Sequence, residues 1–150
     1  MAESINATGK SGTPNLLMLF APPSYWTCTE AMRREIVSGC GPGKGWKANL
    51  VPETLWGLSV HEACDIHDWM YHLGETIEDK KEADRVFLNN MIRIIDVRTK
   101  WNWLRRLRLR RAKTYYLAVC WFGGPAFWAG KNQPGEERSM EYARTISRTS

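Results

Sequence analysis

A chain of 150 residues, 43% of them hydrophobic, has apolar material for one domain with a real core and little to spare for a second. It has no run of about 18 apolar residues, which argues against a membrane-spanning helix. The net charge of +5 is unevenly placed: Arg105, Arg106, Arg108, Arg110, Arg111 and Lys113 fall within nine residues, and such a cluster seeks phosphates of nucleic acid or lipid head groups.

Eight tryptophans are many for this length, and Trp beside Arg is a common composition at the membrane–water interface. The plainer reading is a solvated basic helix face with indoles in the core. Cys28, Cys40, Cys64 and Cys120 are widely spaced, with no Cys-x-x-Cys pair of the zinc-binding kind. One or two disulfides fit the spacing, and so do reduced thiols.

Residues 1 to 14 are rich in Ser, Gly, Thr and Asn and read as a loose arm. Leu16 to Phe20 is apolar and is expected to pack on the domain. This run makes a poor signal peptide, because Lys10 alone supplies positive charge before it. The expectation is a protein that stays in the cytoplasm, leaves by a non-standard route, or has lost a leader. Thr29 can cap a short helix from Glu30 to about Ser38, with Met32 and Ile36 on one face.

Gly39 to Gly45 holds four glycines in seven residues, which disfavours helix and strand alike. A tight loop is expected there, with backbone able to approach a ligand. Residues 46 to 57 read as a connecting loop. Ser59-Val60-His61-Glu62 matches a capping box, and a helix should follow from about Val60 to Leu73, ended by Gly74. Its residues Val60, Cys64, His67, Asp68 and Tyr71 share one stripe, while Ala63, Ile66, Met70 and Leu73 form a neighbouring apolar one.

Thr76 with Asp79 marks a second helix start, predicting a helix over 77–97. Its apolar stripe is Phe87, Met91, Ile94 and Ile95, and Asp84 belongs to that stripe. A carboxylate on an apolar face is costly to bury without a partner. Glu78 to Glu82 reads as a solvated first turn. The linker Gly74-Glu75-Thr76 is short, so the two helices should be antiparallel neighbours. His67 lies about two turns before the first helix ends and Asp84 about two turns into the second, so they can face each other.

A third long segment spans 101 to about 122. Trp103, Leu104, Leu107, Tyr115, Tyr116 and Val119 would form its apolar side, opposite the arginines. Gly123-Gly124-Pro125 should end it, and residues 131–150 turn polar and read as a disordered tail. The predicted organisation is an N-terminal arm (1–24), a mainly α domain (25–130) with a basic, Trp-rich C-terminal helix, and that tail.

A histidine held by a carboxylate is a general base suited to neutral pH. His67 with Asp84 meets that description. Asp68, beside it, is a natural ligand for a hard cation such as Ca²⁺, with loop carbonyls completing the shell. Together these groups describe a hydrolase acting on an ester.

At this point the residues resemble a family. Cys64, His67, Asp68 and Tyr71, as Cys-x-x-His-Asp-x-x-Tyr, look like the active-site helix of secreted-type phospholipases A2. Cys40-Gly41-Pro42-Gly43 with Gly45 is similar to that family's calcium loop, and Asp84-Arg85-Val86-Phe87 resembles the Asp-x-x-Phe of its second helix. The likeness covers residues 39 to 91 and leans toward the compact microbial and viral members.

The resemblance implies two antiparallel active-site helices with a glycine-rich calcium loop and flanking helices. It implies Ca²⁺-dependent hydrolysis of the sn-2 ester of glycerophospholipids. His67 would be the base, Asp84 its orienting carboxylate and Tyr71 a donor to Asp84. Asp68 and the carbonyls of Gly39, Gly41 and Gly43 would bind Ca²⁺, and the Gly41 amide would hold the oxyanion. Cys40 and Cys64 would form a disulfide tying loop to helix. The expected partner is an anionic phospholipid surface met by Trp101, Trp103, Arg105, Arg106 and Arg108; no motif points to nucleic acid.

Three departures stand out. The 23 residues between Cys40 and Cys64 exceed the family's habit, Ala63 stands where animal enzymes double the cysteine, and Met70 replaces another. The alternative is a catalytically inactive member that binds membranes or partners. A third class, a transition-metal phosphohydrolase using His61, His67, Asp68 and Asp96, leaves the glycine loop without a role.

Overall fold

The computed structural model describes residues 17–37 and 53–131. The loose arm at 1–14, the glycine loop at 39–45 with Cys40, and the tail from 132 lie outside the described residues. The architecture is mainly α. The described elements are α1 (Pro23–Thr27), α2 (Glu30–Val37), β1 (Thr54–Leu55), β2 (Leu58–Ser59), α3 (His61–Leu73), α4 (Ile77–Arg98), α5 (Asn102–Phe122) and α6 (Gly124–Trp128).

Helix α4 is the middle of the fold and packs against α3 on one side and α5 on the other. Both neighbours run antiparallel to it. Arg98 at its C-terminal end holds Glu62 at the start of α3 with two bonds of 3.1 and 3.0 Å, while Asp96 holds Arg105 at the start of α5 at 2.8 Å. Short linkers force this arrangement, since three residues cannot carry the chain to the far end of a helix. The core of the sandwich is Phe87, Met91, Ile94 and Ile95 of α4, with Ala63 of α3 and Ala112, Tyr115 and Val119 of α5.

Helix α4 starts as its sequence predicts. Thr76 accepts from the Asp79 backbone at 3.1 Å, and the Asp79 carboxylate accepts from the Thr76 backbone at 2.9 Å. The same expectation fails at α3. Val60 is the N-cap, no side chain caps the helix, and Ser59 sits in β2. Strand pairing of Leu55 with Leu58 fixes the chain direction instead, and Glu62 is drawn away to Arg98.

The sequence predicts a connecting loop over 46–57, but from Thr54 to Ser59 the chain forms a hairpin. Its turn residues Trp56 and Gly57 have φ of 49° and 76°, the pattern of a two-residue turn between twisted strands. Trp is an unusual occupant of that region. Arg108 holds it there, donating to the carbonyls of Leu55 at 3.1 Å and Trp56 at 3.0 Å.

On α3 the division into a polar and an apolar stripe also needs correcting. Val60, His67 and Tyr71 are buried against α4, Leu73 is exposed, and Trp69 is fully buried. The indole of Trp69 donates to Ser24 Oγ at 3.1 Å and meets Tyr25 edge to face, docking α1 onto α3. Residues 17–22 also belong to the domain, because Asn90 of α4 exchanges two 2.8 Å hydrogen bonds with the Phe20 backbone.

On α2, Thr29 Oγ1 accepts from the Met32 backbone at 3.2 Å; Ile36 packs inward, but Met32 is exposed. On α5 the buried side is Ala112, Tyr115 and Val119, so Trp103 does not belong to the apolar face assigned to it. Among the described residues, no helix is long and apolar enough to cross a membrane.

Candidate active site between helices α3 and α4

Asp84 projects from α4 into the seam with α3 and is almost wholly buried. Its Oδ1 takes two hydrogen bonds from α3: His67 Nε2 lies 2.9 Å away and the Tyr71 hydroxyl 2.6 Å away. His67 and Tyr71 are four apart on α3, so both reach one oxygen across the pair. The imidazole is wedged between the Tyr71 ring at 4.0 Å and the Phe87 ring at 4.7 Å, which fixes its plane. With Nε2 donating to the carboxylate, the imidazole presents Nδ1 as its lone-pair nitrogen.

The second oxygen of Asp84 has a partner of its own. Lys80, one turn earlier on α4, donates to Oδ2 at 2.7 Å. It also donates to the carbonyls of Val119 at 3.0 Å and Cys120 at 3.4 Å at the C-terminal end of α5. Lys80 is therefore buried, and reading residues 78–82 as a uniformly solvated turn is wrong at this position. The available signal was its spacing: Lys80 and Asp84 are four apart on a helix whose Asp84 needs a partner.

Burial alone would push the Asp84 carboxyl up. The hydrogen bonds from His67, Lys80 and Tyr71 outweigh it, so the group lies below the ordinary carboxylate range and carries its charge at neutral pH. Burial, then the bond to Asp84, drives the Tyr71 phenol well above its usual value, so it remains a donor.

Two further groups close the back of the site. A Cβ on Gly123 would lie 2.3 Å from the Val119 carbonyl and 2.5 Å from the Tyr71 hydroxyl, so only glycine lets this turn sit against Tyr71. Phe127 of α6 is fully buried and packs edge to face on the Tyr71 ring at 5.2 Å. Gly74 ends α3 as its sequence predicts, in an extended conformation with φ of −67°. Its lack of a side chain makes room for the Phe127 ring, which a Cβ would meet at 2.7 Å. Lys131, placed in the tail by its sequence, donates to the Gly74 carbonyl at 2.6 Å and to that of Tyr71.

Asp68 follows His67 on α3 and is half-buried. Its carboxylate is a hard oxygen donor and suits Ca²⁺. The other expected ligands, Gly39, Gly41 and Gly43, and with them the Gly41 amide, lie outside the described residues. Cys64 has a free thiol, half-buried, as do Cys28 and Cys120; its expected partner Cys40 lies outside the described residues. Burial, then nearby Asp68, pushes the Cys64 thiol up to about 12.

Among the described residues no three His, Cys, Asp or Glu side chains converge as a metal cluster. Asp96 is occupied by Arg105, and His61 sits between Glu53 and Asp65 at 3.4 and 3.3 Å. The expected lipid contacts divide. Trp101, Trp103 and Arg106 are exposed, but Arg105 is paired with Asp96 and Arg108 is spent on the hairpin and on Thr99 Oγ1 at 2.9 Å.

No protein-family model matches this chain, and no curated protein or solved structure is significantly similar to it.

Proposed function

We propose that the protein is a phospholipase A2-like hydrolase that cleaves the sn-2 ester of glycerophospholipids with the help of Ca²⁺. The observation that carries this reading is the Asp84 Oδ1 atom, bound by both His67 Nε2 and Tyr71 between two antiparallel helices. A buried carboxylate that holds one imidazole nitrogen leaves the other as a base of fixed direction. His67 Nδ1 draws a proton from water as that water attacks the ester carbonyl. Asp84 stabilises the imidazolium that forms, and Tyr71 keeps the carboxylate from rotating. His67 then returns the proton to the leaving alkoxide of the lysophospholipid.

Asp68 and the carbonyls of Gly39, Gly41 and Gly43 would hold the Ca²⁺. When bound, that ion supplies the positive charge that polarises the ester carbonyl. The motifs Cys-x-x-His-Asp-x-x-Tyr and Asp-x-x-Phe support the same reading from the sequence.

One observation favours the alternative of a catalytically inactive member. Lys80 on Asp84 Oδ2 takes up part of the charge that would otherwise stabilise an imidazolium. A single assay decides between the two. Fatty acid release from phospholipid is expected with Ca²⁺, with loss in excess chelator and in His67→Ala. Lipid binding without any release by the parent chain would leave the inactive reading standing.

A further inference from the structure

The outward side of α5 carries a feature that the hydrolytic site does not use. At 100° per residue, Trp103, Arg106, Arg110, Lys113, Leu117 and Trp121 fall within about a third of the helix circumference. They lie opposite the buried Ala112, Tyr115 and Val119. All six are exposed, with the two end indoles at 63% for Trp103 and 77% for Trp121. Eighteen residues separate them, so the row is about 27 Å long and straight. Helix α5 contains no Asp or Glu at all.

The basic groups of this row differ from the other arginines nearby. Arg98, Arg105 and Arg85 are each paired with a carboxylate, of Glu62, Asp96 and Glu82 respectively. Arg108 is bound to backbone carbonyls. Arg106, Arg110 and Lys113 stand in the middle of the row with indoles at both ends.

We infer that this face of α5 docks on an anionic phospholipid surface, with Arg106, Arg110 and Lys113 over the head-group phosphates and Trp103 and Trp121 at the level of the glycerol backbone. Charge complementarity selects an anionic partner. Two large indoles and Leu117 in the same row favour a bilayer over a nucleic acid, because exposed indoles gain by entering the interface and a duplex backbone offers them nothing similar. The straight row suits a flat surface. The inference shares the lipid with the proposed hydrolysis but does not depend on it, since binding requires no His67 chemistry.

The test is co-sedimentation of the full chain with vesicles in chelator, so that hydrolysis is not read. Vesicles of phosphatidylcholine with about one-third phosphatidylglycerol, at about 0.1 M salt, supply the anionic surface. The parent is expected to bind them and to bind pure phosphatidylcholine vesicles much less. Arg106→Gln, Arg110→Gln and Lys113→Gln together should weaken binding roughly a hundredfold. Trp103→Ala with Trp121→Ala should weaken it about tenfold or more. The charge-matched control Arg85→Gln, Arg98→Gln and Arg105→Gln should stay within about threefold of the parent, because those charges are already paired.

Absence of binding by the parent would overturn the inference. So would equal losses in the two charge triples, which would make binding a matter of net charge. Binding of duplex DNA but not vesicles, lost in the first triple, would reassign the face to nucleic acid and overturn it as well. Circular dichroism of each variant verifies that it is folded.

Discussion

Lys80 Nζ lies 2.7 Å from Asp84 Oδ2, one helical turn away, on the carboxylate oxygen that His67 does not use. The two charges are buried together, and the lysine is also tied to the end of α5 by two backbone carbonyls. One ammonium thus ties α4 to α5, and the carboxylate it holds reaches His67 and Tyr71 of α3, at the level of the candidate site. Removing the ammonium leaves a buried carboxylate with one oxygen unanswered and takes a donor from two helix-end carbonyls, of which that of Val119 keeps only the Gly123 N–H. Lys80→Met is expected to lower the unfolding free energy by about 3 kcal/mol. In an Asp84→Asn background the same change should cost markedly less, because the stranded charge is gone. Urea unfolding of the two single variants and the double variant measures this coupling.

The same carboxylate lets positioning and chemistry be separated. Asp84→Asn keeps the size of the side chain but can no longer stabilise an imidazolium. If the hydrolytic reading holds, kcat should fall by roughly 10² to 10⁴. Tyr71→Phe removes one hydrogen bond to Oδ1 and leaves His67 in place, so its loss should be nearer tenfold. Steady-state lipolysis with saturating Ca²⁺ gives both numbers, and a KM that moves with neither variant would assign both effects to the chemical step.

The meeting of His67 and Asp84 was legible because it depends on local quantities. A three-residue linker sets the helices antiparallel, and the rise per residue sets the level at which the two side chains meet. Lys80 was not legible in the same way. Glu78, Asp79, Lys81 and Glu82 around it are exposed, and what buries it is the end of a helix about 40 residues further on. The arginine cluster shows the same limit. Its existence is plain in the sequence, but only packing tells that Arg105 and Arg108 turn toward the fold while Arg106 and Arg110 lie on the side of α5 away from its buried residues. The hairpin is not legible because Trp56-Gly57 lacks the Asn-Gly or Asp-Gly signature, and its conformation is enforced by Arg108 of α5.

Acid should unfold the site through Asp84. Its carboxyl lies below the ordinary range in the fold, so the unfolded chain takes up a proton first as pH drops. Its stabilising contribution is fully present above the unfolded value of about 3.9 and is lost as pH falls through the lower folded value. Asp79 acts in the same direction, lowered by the backbone bonds it accepts at the α4 cap. Stability attributable to these groups should be flat from neutral pH to about pH 5 and fall below about pH 4. Asp84→Asn should give a shallower acid limb in denaturant midpoints measured from about pH 2 to 6. An unchanged slope would mean that the carboxylate is equally easy to protonate in both states.

Cys64 offers a check on the expected tie between loop and helix. Its reduced thiol is pushed to about 12, by burial first and by Asp68 second, so at pH 8 about one in ten thousand molecules carries the thiolate. Reduced protein should therefore be alkylated slowly at Cys64. If Cys40 and Cys64 bond under oxidising conditions, peptide mass spectrometry without reduction should find them linked. In that case Cys64→Ser should lower stability by about 2–4 kcal/mol in the oxidised protein only.

Gly123 and Gly124 are neighbours with opposite requirements, and this makes them a sharp test of the packing behind Tyr71. A Cβ at Gly123 would fall 2.5 Å from the Tyr71 hydroxyl and 2.3 Å from the Val119 carbonyl, whereas one at Gly124 meets nothing within 4 Å. The Val119 carbonyl cannot yield easily, because it accepts both the Gly123 backbone N–H at 2.8 Å and the Lys80 ammonium. Tyr71 must then move, and its hydroxyl is one of the two groups on Asp84 Oδ1. Gly123→Ala is expected to cost about 1–3 kcal/mol and to reduce lipolysis at least as much as Tyr71→Phe. Gly124→Ala, at the start of α6, should leave stability within about 0.5 kcal/mol and activity unchanged. Equal behaviour of the two variants would mean that the end of α5 does not press on Tyr71 and that the hydroxyl is held by Asp84 alone.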